Sequence, residues 1–175
     1  STDDAVAVEQ AFAHLVSLGH QKVGALLGPE DHVPSRRKLD ALMAAAKGSP
    51  DVTCDVERAS FSMEGARPAA TRLAERGVTG ILCASDVLAL GAVRAVRRLG
   101  KRVPQDISIV GYDDSAIMTC TDPPLTTVRQ PIEAMGQSVV DLLVQQMEGV
   151  GVPPEELFFE PELVVRGSTA PAPKG

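Results

Sequence analysis

The 175-residue sequence contains very few aromatic residues: it has no tryptophan, one tyrosine and four phenylalanines, about 3% of the chain. Its hydrophobic core must therefore be built from alanine, valine, leucine and isoleucine, a composition that favours helices packed on a buried sheet. The same scarcity argues against a carbohydrate site lined by several stacking rings. Any binding site in this chain has to work with few aromatic side chains.

Cysteine and histidine are equally scarce, with three of each. Cys54, Cys83 and Cys120 are widely separated and form no C-x-x-C pair, so neither a disulfide framework nor a structural zinc site is expected. The histidines have no metal-ligand spacing, and the glycine-rich loops that bind dinucleotides or nucleotide phosphates are absent, as is a G-x-S-x-G nucleophile elbow. We therefore predict no cofactor, no metal and no enzyme activity.

Positive charge is outnumbered, since 17 Lys and Arg residues stand against 23 Asp and Glu residues, for a net charge of −6. A module that binds duplex DNA normally carries a basic face, so this chain alone is not expected to bind nucleic acid. No apolar stretch approaches the roughly 18–20 residues of a membrane span, and no signal peptide is visible. We expect a cytoplasmic protein without a membrane partner. The first residue is not methionine, which is consistent with a piece of a longer protein.

Helical and strand patterns alternate along the chain. Short apolar runs predict strands at 22–28, 80–84, 107–111 and 125–128, with weaker strands at 51–59 and 157–165. Helical periodicity predicts helices at 4–18, 35–46, 62–76, 86–99 and 131–147. Nearly continuous apolar strands that alternate with helices are typical of a parallel sheet covered on both faces. The predicted fold class is therefore α/β.

In such sheets ligands bind beyond the carboxyl ends of the strands, so the loops that follow the strands should converge on one crevice. Asp113 stands at the end of one predicted strand and His32 in the loop after another, which makes both candidate ligand contacts. A basic cluster at 35–38 opens a helix, and it is either a solvated face or an edge of the crevice that binds anions or hydroxyls.

Five segments, taken together and in order, resemble the lactose/galactose-repressor (LacI/GalR) family of bacterial transcriptional regulators. They read LGHQKV at 18–23, SDVLALG at 85–91, VPQDISIVGYDD at 103–114, PPLTTVRQP at 123–131 and LVVRGST at 163–169. The resemblance implies a core like that of type I periplasmic binding proteins, with two α/β lobes joined by three crossover strands. The second lobe would be complete and the first incomplete.

The resemblance also implies a division of the chain between these lobes. Residues 1–21 would form a first-lobe helix, 22–127 the second-lobe core, 128–152 a first-lobe return segment, 153–169 the final second-lobe strand, and 170–175 a frayed tail. The two first-lobe helices would lack the sheet that covers them in relatives. We expect their apolar faces to be covered by self-association or by folding against the second lobe.

The family's effector site can be carried over to this sequence position by position. Asp113 would accept hydrogen bonds from ligand hydroxyls, Ser85 stands where the family has Asn, and Lys38 stands where it has Arg. Arg36 or Arg37 could replace Lys38 if the register shifts. Phe61 lies near the stacking aromatic, but its spacing to Gly65 is one residue short, so that place falls on Phe61 or Ser60, and Ile132 occupies a position that is often aromatic. Together with His32, which is a candidate because it lies in the loop after a strand, the predicted effector-binding set is Asp113, Ser85, Lys38, Arg36, Phe61, His32 and Ile132.

The function implied by the resemblance is allosteric control of transcription. A small metabolite, a sugar or related polar molecule, would bind between the lobes of a homodimer and change its affinity for operator DNA, which only a missing N-terminal helix-turn-helix would contact. The helix at 86–99, with Leu90, Val93 and Val96, is either a dimer face or plain core. Two alternatives are a solute-binding protein of a transport system and a small α/β enzyme, the second opposed by the absence of a nucleophile–base or metal constellation.

Overall fold

The computed structural model describes residues 1–151 and 155–174. Within these residues six strands form one sheet in the order β2-β1-β3-β4-β5-β6. The first five strands run parallel and β6 is antiparallel to β5. The strands are β1 (Lys22–Leu27), β2 (Thr53–Arg58), β3 (Gly80–Cys83), β4 (Ser108–Asp113), β5 (Thr126–Arg129) and β6 (Glu162–Val164). The α/β class predicted from the sequence is confirmed.

Five helices connect or flank the strands: α1 (Asp4–Ser17), α2 (Val33–Lys47), α3 (Met63–Glu75), α4 (Asp86–Arg98) and α5 (Ile132–Met147), with a short 3₁₀ turn at Ala116–Thr119. Side-chain caps fix three of the helix starts, because Asp3, Ser62 and Ser85 each accept hydrogen bonds from backbone N–H groups of the first turn. None of the helices in the described parts of the chain has the length and apolar character that a bilayer crossing requires.

Helices cover the sheet on both faces. Val23 of β1 lies beside Gly80 of β3, and a side chain added at Gly80 would meet Leu15 of α1. A side chain at Gly24, one position further along β1, would instead meet Leu73 of α3. Because successive residues of a strand point to opposite faces, α1 and α3 lie on opposite sides of the sheet. Helix α2 packs beside α1, and α4 packs beside α3.

Helix α1, which lies in the segment 1–21 predicted as a first-lobe helix, packs against the sheet of this chain. Its apolar stripe is fully covered by the rest of the chain, with Ala7, Val8, Ala11, Phe12 and Leu15 all at most 3% exposed. The helix contacts α2, β3, β5 and β6. An apolar stripe at helical spacing requires a cover but does not specify which one, and here the sheet of residues 22–127 provides it.

Helix α5 behaves in the opposite way, because none of its residues is buried. Ile132, Val139, Leu143 and Met147 are 64%, 56%, 54% and 88% exposed. The expectation that this helix folds against the second lobe is therefore wrong, and coverage by self-association remains a prediction. The predicted boundary between residues 152 and 153 lies outside the described residues.

The C-terminal segment is held more firmly than predicted. The carbonyl of Ala170 accepts from the ring of His20, and the N–H of Ala172 donates to the carbonyl of Leu18 at 2.8 Å. His14 also contacts the hydroxyl of Thr169 at 2.9 Å. Residues 170–172, the start of the segment predicted to fray, are thus hydrogen-bonded to the rest of the chain, while Gly175 lies outside the described residues. The last strand is shorter than predicted, at three residues.

Candidate functional site

A cavity of about 480 Å³ opens at the carboxyl ends of the parallel strands. The predicted residues Asp113, Ser85, Lys38, Phe61 and His32 all line it. They reach it from different elements, since each follows or ends a strand except Lys38, which lies on α2. Ser35 and Arg37, two members of the basic cluster at 35–38, also line it, which places this cluster at the edge of the crevice. The sequence reasoning did not select several further lining residues: Ser1, Thr2, Asp4, Pro34, Ala84, Val87, Tyr112, Gln130 and Met135.

Asp113 ends β4 with a backbone φ of 118°, a conformation that non-glycine residues rarely adopt. Its carboxylate Oδ1 accepts a hydrogen bond from the side-chain amide of Gln130 at 2.7 Å. Burial, together with the nearby charge of Asp86, raises the pKa of Asp113 to about 6. The cavity therefore contains a carboxylate that changes charge near neutral pH.

The neighbouring Asp114 anchors this turn on the side away from the cavity. It also has a positive φ, 57°, and its carboxylate binds Arg129 at 2.7 Å and Arg166 at 2.6 Å. Two adjacent residues in left-handed conformations are strained, and such strain persists only where surrounding contacts enforce it. The two arginines supply those contacts, so they help to keep Asp113 facing the cavity.

Lys38 belongs to a buried ion pair at the base of the cavity. Its Nζ contacts Asp4 Oδ1 at 2.6 Å and lies 3.9 Å from the ring centroid of Tyr112. The Tyr112 hydroxyl donates to the same Asp4 oxygen at 2.9 Å. The side chains of Lys38 and Asp4 are 6% and 8% exposed, so the pair is almost fully removed from water. Both charges are compensated locally, as buried charges must be.

The role of Asp4 was missed because the sequence offers two adjacent aspartates at the start of α1. Asp3 is the one that caps the helix, accepting from the N–H groups of Ala5 and Val6. Asp4 is therefore free to turn towards α2 and β4. Only one of two neighbouring residues can occupy the cap position, and that signal was available in the sequence.

A second chain of hydrogen bonds ties the N-terminal segment to Asp113. The hydroxyl of Thr2 donates to Gln130 Oε1 at 2.6 Å, and the amide nitrogen of Gln130 donates to Asp113. Gln130 lies between β5 and α5, so it joins three separate parts of the chain at the cavity wall.

Ser85 is engaged in capping rather than extended into the cavity. Its hydroxyl accepts from the N–H of Leu88 at 3.2 Å. The adjacent Asp86 is fully buried, accepting from the Thr127 hydroxyl at 2.6 Å and the Ser115 N–H at 2.8 Å. Burial raises the pKa of Asp86. This carboxylate supports the wall behind Asp113.

The mouth of the cavity carries an aromatic pair. The rings of His32 and Phe61 lie 4.9 Å apart, edge to face, and Phe61 is 42% exposed. This surface is apolar and accessible, and it can pack against the carbon face of a ligand.

Two of the predicted residues are not brought to the cavity. Arg36 is exposed on α2 and does not line the site, because the helical turn directs its neighbours Arg37 and Lys38 inwards instead. Ile132 starts α5 and is 64% exposed, whereas Met135, one turn later, lines the cavity. Arg37 forms a two-point contact with Glu156, with nitrogen–oxygen distances of 2.8 and 2.7 Å.

The site can be described by the groups that it offers to a ligand. Within residues 1–151 and 155–174, no three His, Cys, Asp or Glu residues are grouped closely enough to hold a metal ion. The buried thiol of Cys83, behind the cavity wall, has its pKa raised by burial, which disfavours the reactive thiolate. What the cavity offers is hydroxyl, amide and carboxylate groups above an apolar rim, an arrangement suited to a polar ligand with several hydroxyls.

Comparison with protein families finds a domain that covers most of the chain. Residues 12–169 match the model described as a periplasmic binding protein-like domain. The matched region contains all the strands of the sheet and most of the cavity wall.

Comparison with curated proteins finds regulators of transcription. The chain is 46% identical to the HTH-type transcriptional regulator MalR of Streptomyces coelicolor over 99% of its own length and 52% of that protein. It is 33% identical to the HTH-type transcriptional repressor CytR of Escherichia coli over 98% of its length and 51% of that protein. The chain thus spans about half the length of the curated relatives it matches.

The solved structures that superpose on this chain also include transcriptional regulators. A dimeric Lac repressor superposes with a TM-score of 0.89 and 33% identity, covering 97% of this chain and 63% of that one. A complex of the transcriptional regulator CelR with cellobiose superposes with the same score and identity, covering 95% of this chain and 52% of that one.

Proposed function

This chain belongs to the periplasmic binding protein-like domain family, and from that premise we propose that it is the effector-binding region of a LacI/GalR-type transcriptional regulator. The observation that carries the proposal is Asp113, a carboxylate turned into the cavity at the end of β4. An ionised carboxylate only accepts hydrogen bonds, so it recognises groups that donate them. Its pKa of about 6 leaves most of it ionised at neutral pH.

The ligand proposed is a small polyhydroxylated molecule, a sugar or a close relative. Asp113 would accept from adjacent hydroxyls, while His32 and Phe61 would pack against the ring. Support comes from similar regulators solved with cellobiose and with ribose. The relatives are regulators rather than enzymes or transport proteins, and we propose no catalytic role for this chain.

Regulation would follow from a difference in ligand affinity between two arrangements of a dimer. A ligand shifts such an equilibrium only if it binds one arrangement better. The proposed dimer surface is the outer face of α4, where Leu90 and Val93 border a groove of about 450 Å³ together with Met63. Val96 is fully buried and belongs to the core instead. Operator DNA would be contacted by a helix-turn-helix outside this chain, in the cytoplasm.

Calorimetry with cellobiose, ribose and glucose tests the binding proposal. We expect at least one to bind, and Asp113→Ala to weaken that affinity about tenfold to a hundredfold, since a hydrogen bond to a charged group is worth roughly 1.5–3 kcal/mol. Asp51→Ala, at an exposed turn, is the matched control and should change nothing. Unchanged affinity in Asp113→Ala would refute the assignment.

A further inference from the structure

Two adjacent basic residues of α2 line the cavity, and each already has a carboxylate partner. Lys38 is paired with Asp4 at 2.6 Å. Arg37 is paired with Glu156 through both terminal nitrogens, at 2.8 and 2.7 Å. The two terminal nitrogens of this guanidinium already donate to one carboxylate. They are therefore not available as the pair of donors that would bind a ligand carboxylate or phosphate.

Glu156 is held in place by more than Arg37. The hydroxyl of Ser1 donates to its Oε1, and the next residues of its segment pair with the N-terminus. The N–H of Asp3 donates to the carbonyl of Phe159 and the N–H of Phe159 donates to the carbonyl of Ser1, both at 2.9 Å. The Arg37 guanidinium also lies 5.7 Å from the ring centroid of Phe158. The carboxylate is thus positioned at the cavity edge by its backbone.

The two basic side chains at the cavity are consequently engaged by carboxylates and not available to an anion. Both lysine and arginine side chains that line the cavity are neutralised, while Asp113 has an amide, not a cation, as its hydrogen-bond donor. An incoming carboxylate or phosphate would meet the charges of Glu156 and Asp113 without a free guanidinium to compensate them. Uncompensated like charges at short range are costly in a partly desolvated site.

We propose that Glu156 determines the charge specificity of the cavity: by occupying the Arg37 guanidinium, it excludes anionic ligands and leaves the site selective for neutral polyols. The inference rests on the proposed function, because it concerns the ligand of the same cavity. It adds a residue that lies outside the cavity lining and acts through Arg37.

Inorganic phosphate is the direct probe, because its binding to a freed guanidinium does not depend on any sugar. The readout is the side-chain Nε–Hε resonance of Arg37 in the 175-residue chain, titrated with phosphate at constant ionic strength. In Glu156→Gln, phosphate should bind at Arg37 at least about tenfold more tightly than in the unmodified chain. Glu156→Ala, which leaves no amide to replace the carboxylate, should show the same gain.

Two controls make the result specific. Glu155→Gln makes the same charge change at the neighbouring exposed position and should leave phosphate binding at Arg37 unchanged. Arg37→Met combined with Glu156→Gln removes the resonance and so assigns it, and calorimetry with phosphate should show in this variant none of the gain seen in Glu156→Gln. The amino group of Ser1 borders the cavity, donates to the Leu157 carbonyl and also faces the charge of Glu156. Because the Arg37→Met and Glu156→Gln double variant keeps this amino group, any gain in phosphate affinity that persists in it is due to Ser1 and not to Arg37. Equal phosphate binding in the unmodified chain and Glu156→Gln would overturn the proposal.

Glucose and glucuronate, which share a ring and differ by one carboxylate, then separate this inference from the proposed function. Glu156→Gln should raise the ratio of glucuronate to glucose affinity about tenfold. If glucose binds but neither anion gains affinity, the role of Glu156 is wrong and sugar binding stands. If Glu156→Gln binds phosphate more tightly but no variant binds a neutral sugar, the role of Glu156 in excluding anions stands and the assignment of a sugar ligand fails.

Discussion

Helices α1 and α5 carry similar apolar stripes, yet the stripe of α1 is buried and that of α5 is exposed. The inward residues of α1 are at most 3% exposed, whereas α5 has no buried residue at all. The sequence patterns of both helices predict an apolar face. The difference teaches that periodicity predicts the existence of such a face but not its partner, which depends on the sheet surface that remains available.

The connections at the two helices explain the difference. Helix α1 enters β1 through a tight turn at Gly19, whose φ of 87° suits glycine, and this places the helix directly over the sheet. Helix α5 follows β5 after each face of the sheet already carries two helices. It touches the site only at its beginning, through Met135 and the preceding Gln130.

The largest expected effect on the free energy of unfolding tests the ion pair that joins α1 to the cavity wall. Lys38→Met should cost about 3–5 kcal/mol of the free energy of unfolding, because it leaves the Asp4 carboxylate of α1 buried without its cation. Urea unfolding measures this loss. Lys47→Met, at an exposed position of the same helix, is the control and should change stability by less than about 0.5 kcal/mol. Equal effects would mean that the buried pair contributes no more than a surface charge.

The packing of α1 can be tested directly with Leu15→Ala. Leu15 is fully buried against the sheet, so its truncation should cost about 2–5 kcal/mol through lost burial and a residual cavity. The measurement is again the urea midpoint, with the slope checked for a constant two-state transition. A loss below about 1 kcal/mol would indicate that α1 is loosely attached and resembles α5 after all.

Strand and helix positions were predictable because their patterns are local. The apolar runs at 22–28 and 80–84 and the helical patterns at 62–76 and 86–99 all appear as elements at the expected places. The positions of Asp113 and Lys38 at the cavity followed from the resemblance. Asp4, Tyr112 and Glu156 could not be placed in this way, because their roles depend on contacts between residues 34 to 119 positions apart.

A smaller effect concerns Asp113, which Gln130 connects to the segment entering α5. The folded-state pKa of Asp113 is raised to about 6, so the folded chain holds this proton more tightly than the unfolded chain does. The resulting stabilisation is complete below about pH 4 and is lost as pH rises through 6. After allowance for solvent screening, Asp113→Asn should gain roughly 1–2 kcal/mol relative to the unmodified chain between pH 4 and 7.

Chemical unfolding at several pH values measures this difference, and taking it between the two chains removes the contributions of the other carboxylates. A difference that is independent of pH would show that Asp113 titrates as an exposed residue. In that case the contact through Gln130 does not help to bury it, and the segment before α5 is as loosely held as α5 itself.

The smallest expected effect is the counterpart of Leu15→Ala on the exposed helix. Leu143 is 54% exposed on α5, so Leu143→Ala removes little buried area and should change the unfolding free energy by less than about 0.5 kcal/mol in dilute solution. If copies of the chain cover this face by self-association, the same substitution should weaken that association, and sedimentation across a range of concentrations would detect it. A loss above about 2 kcal/mol at low concentration, where the chain is monomeric, would mean that α5 packs against its own chain and that the contrast with α1 is false.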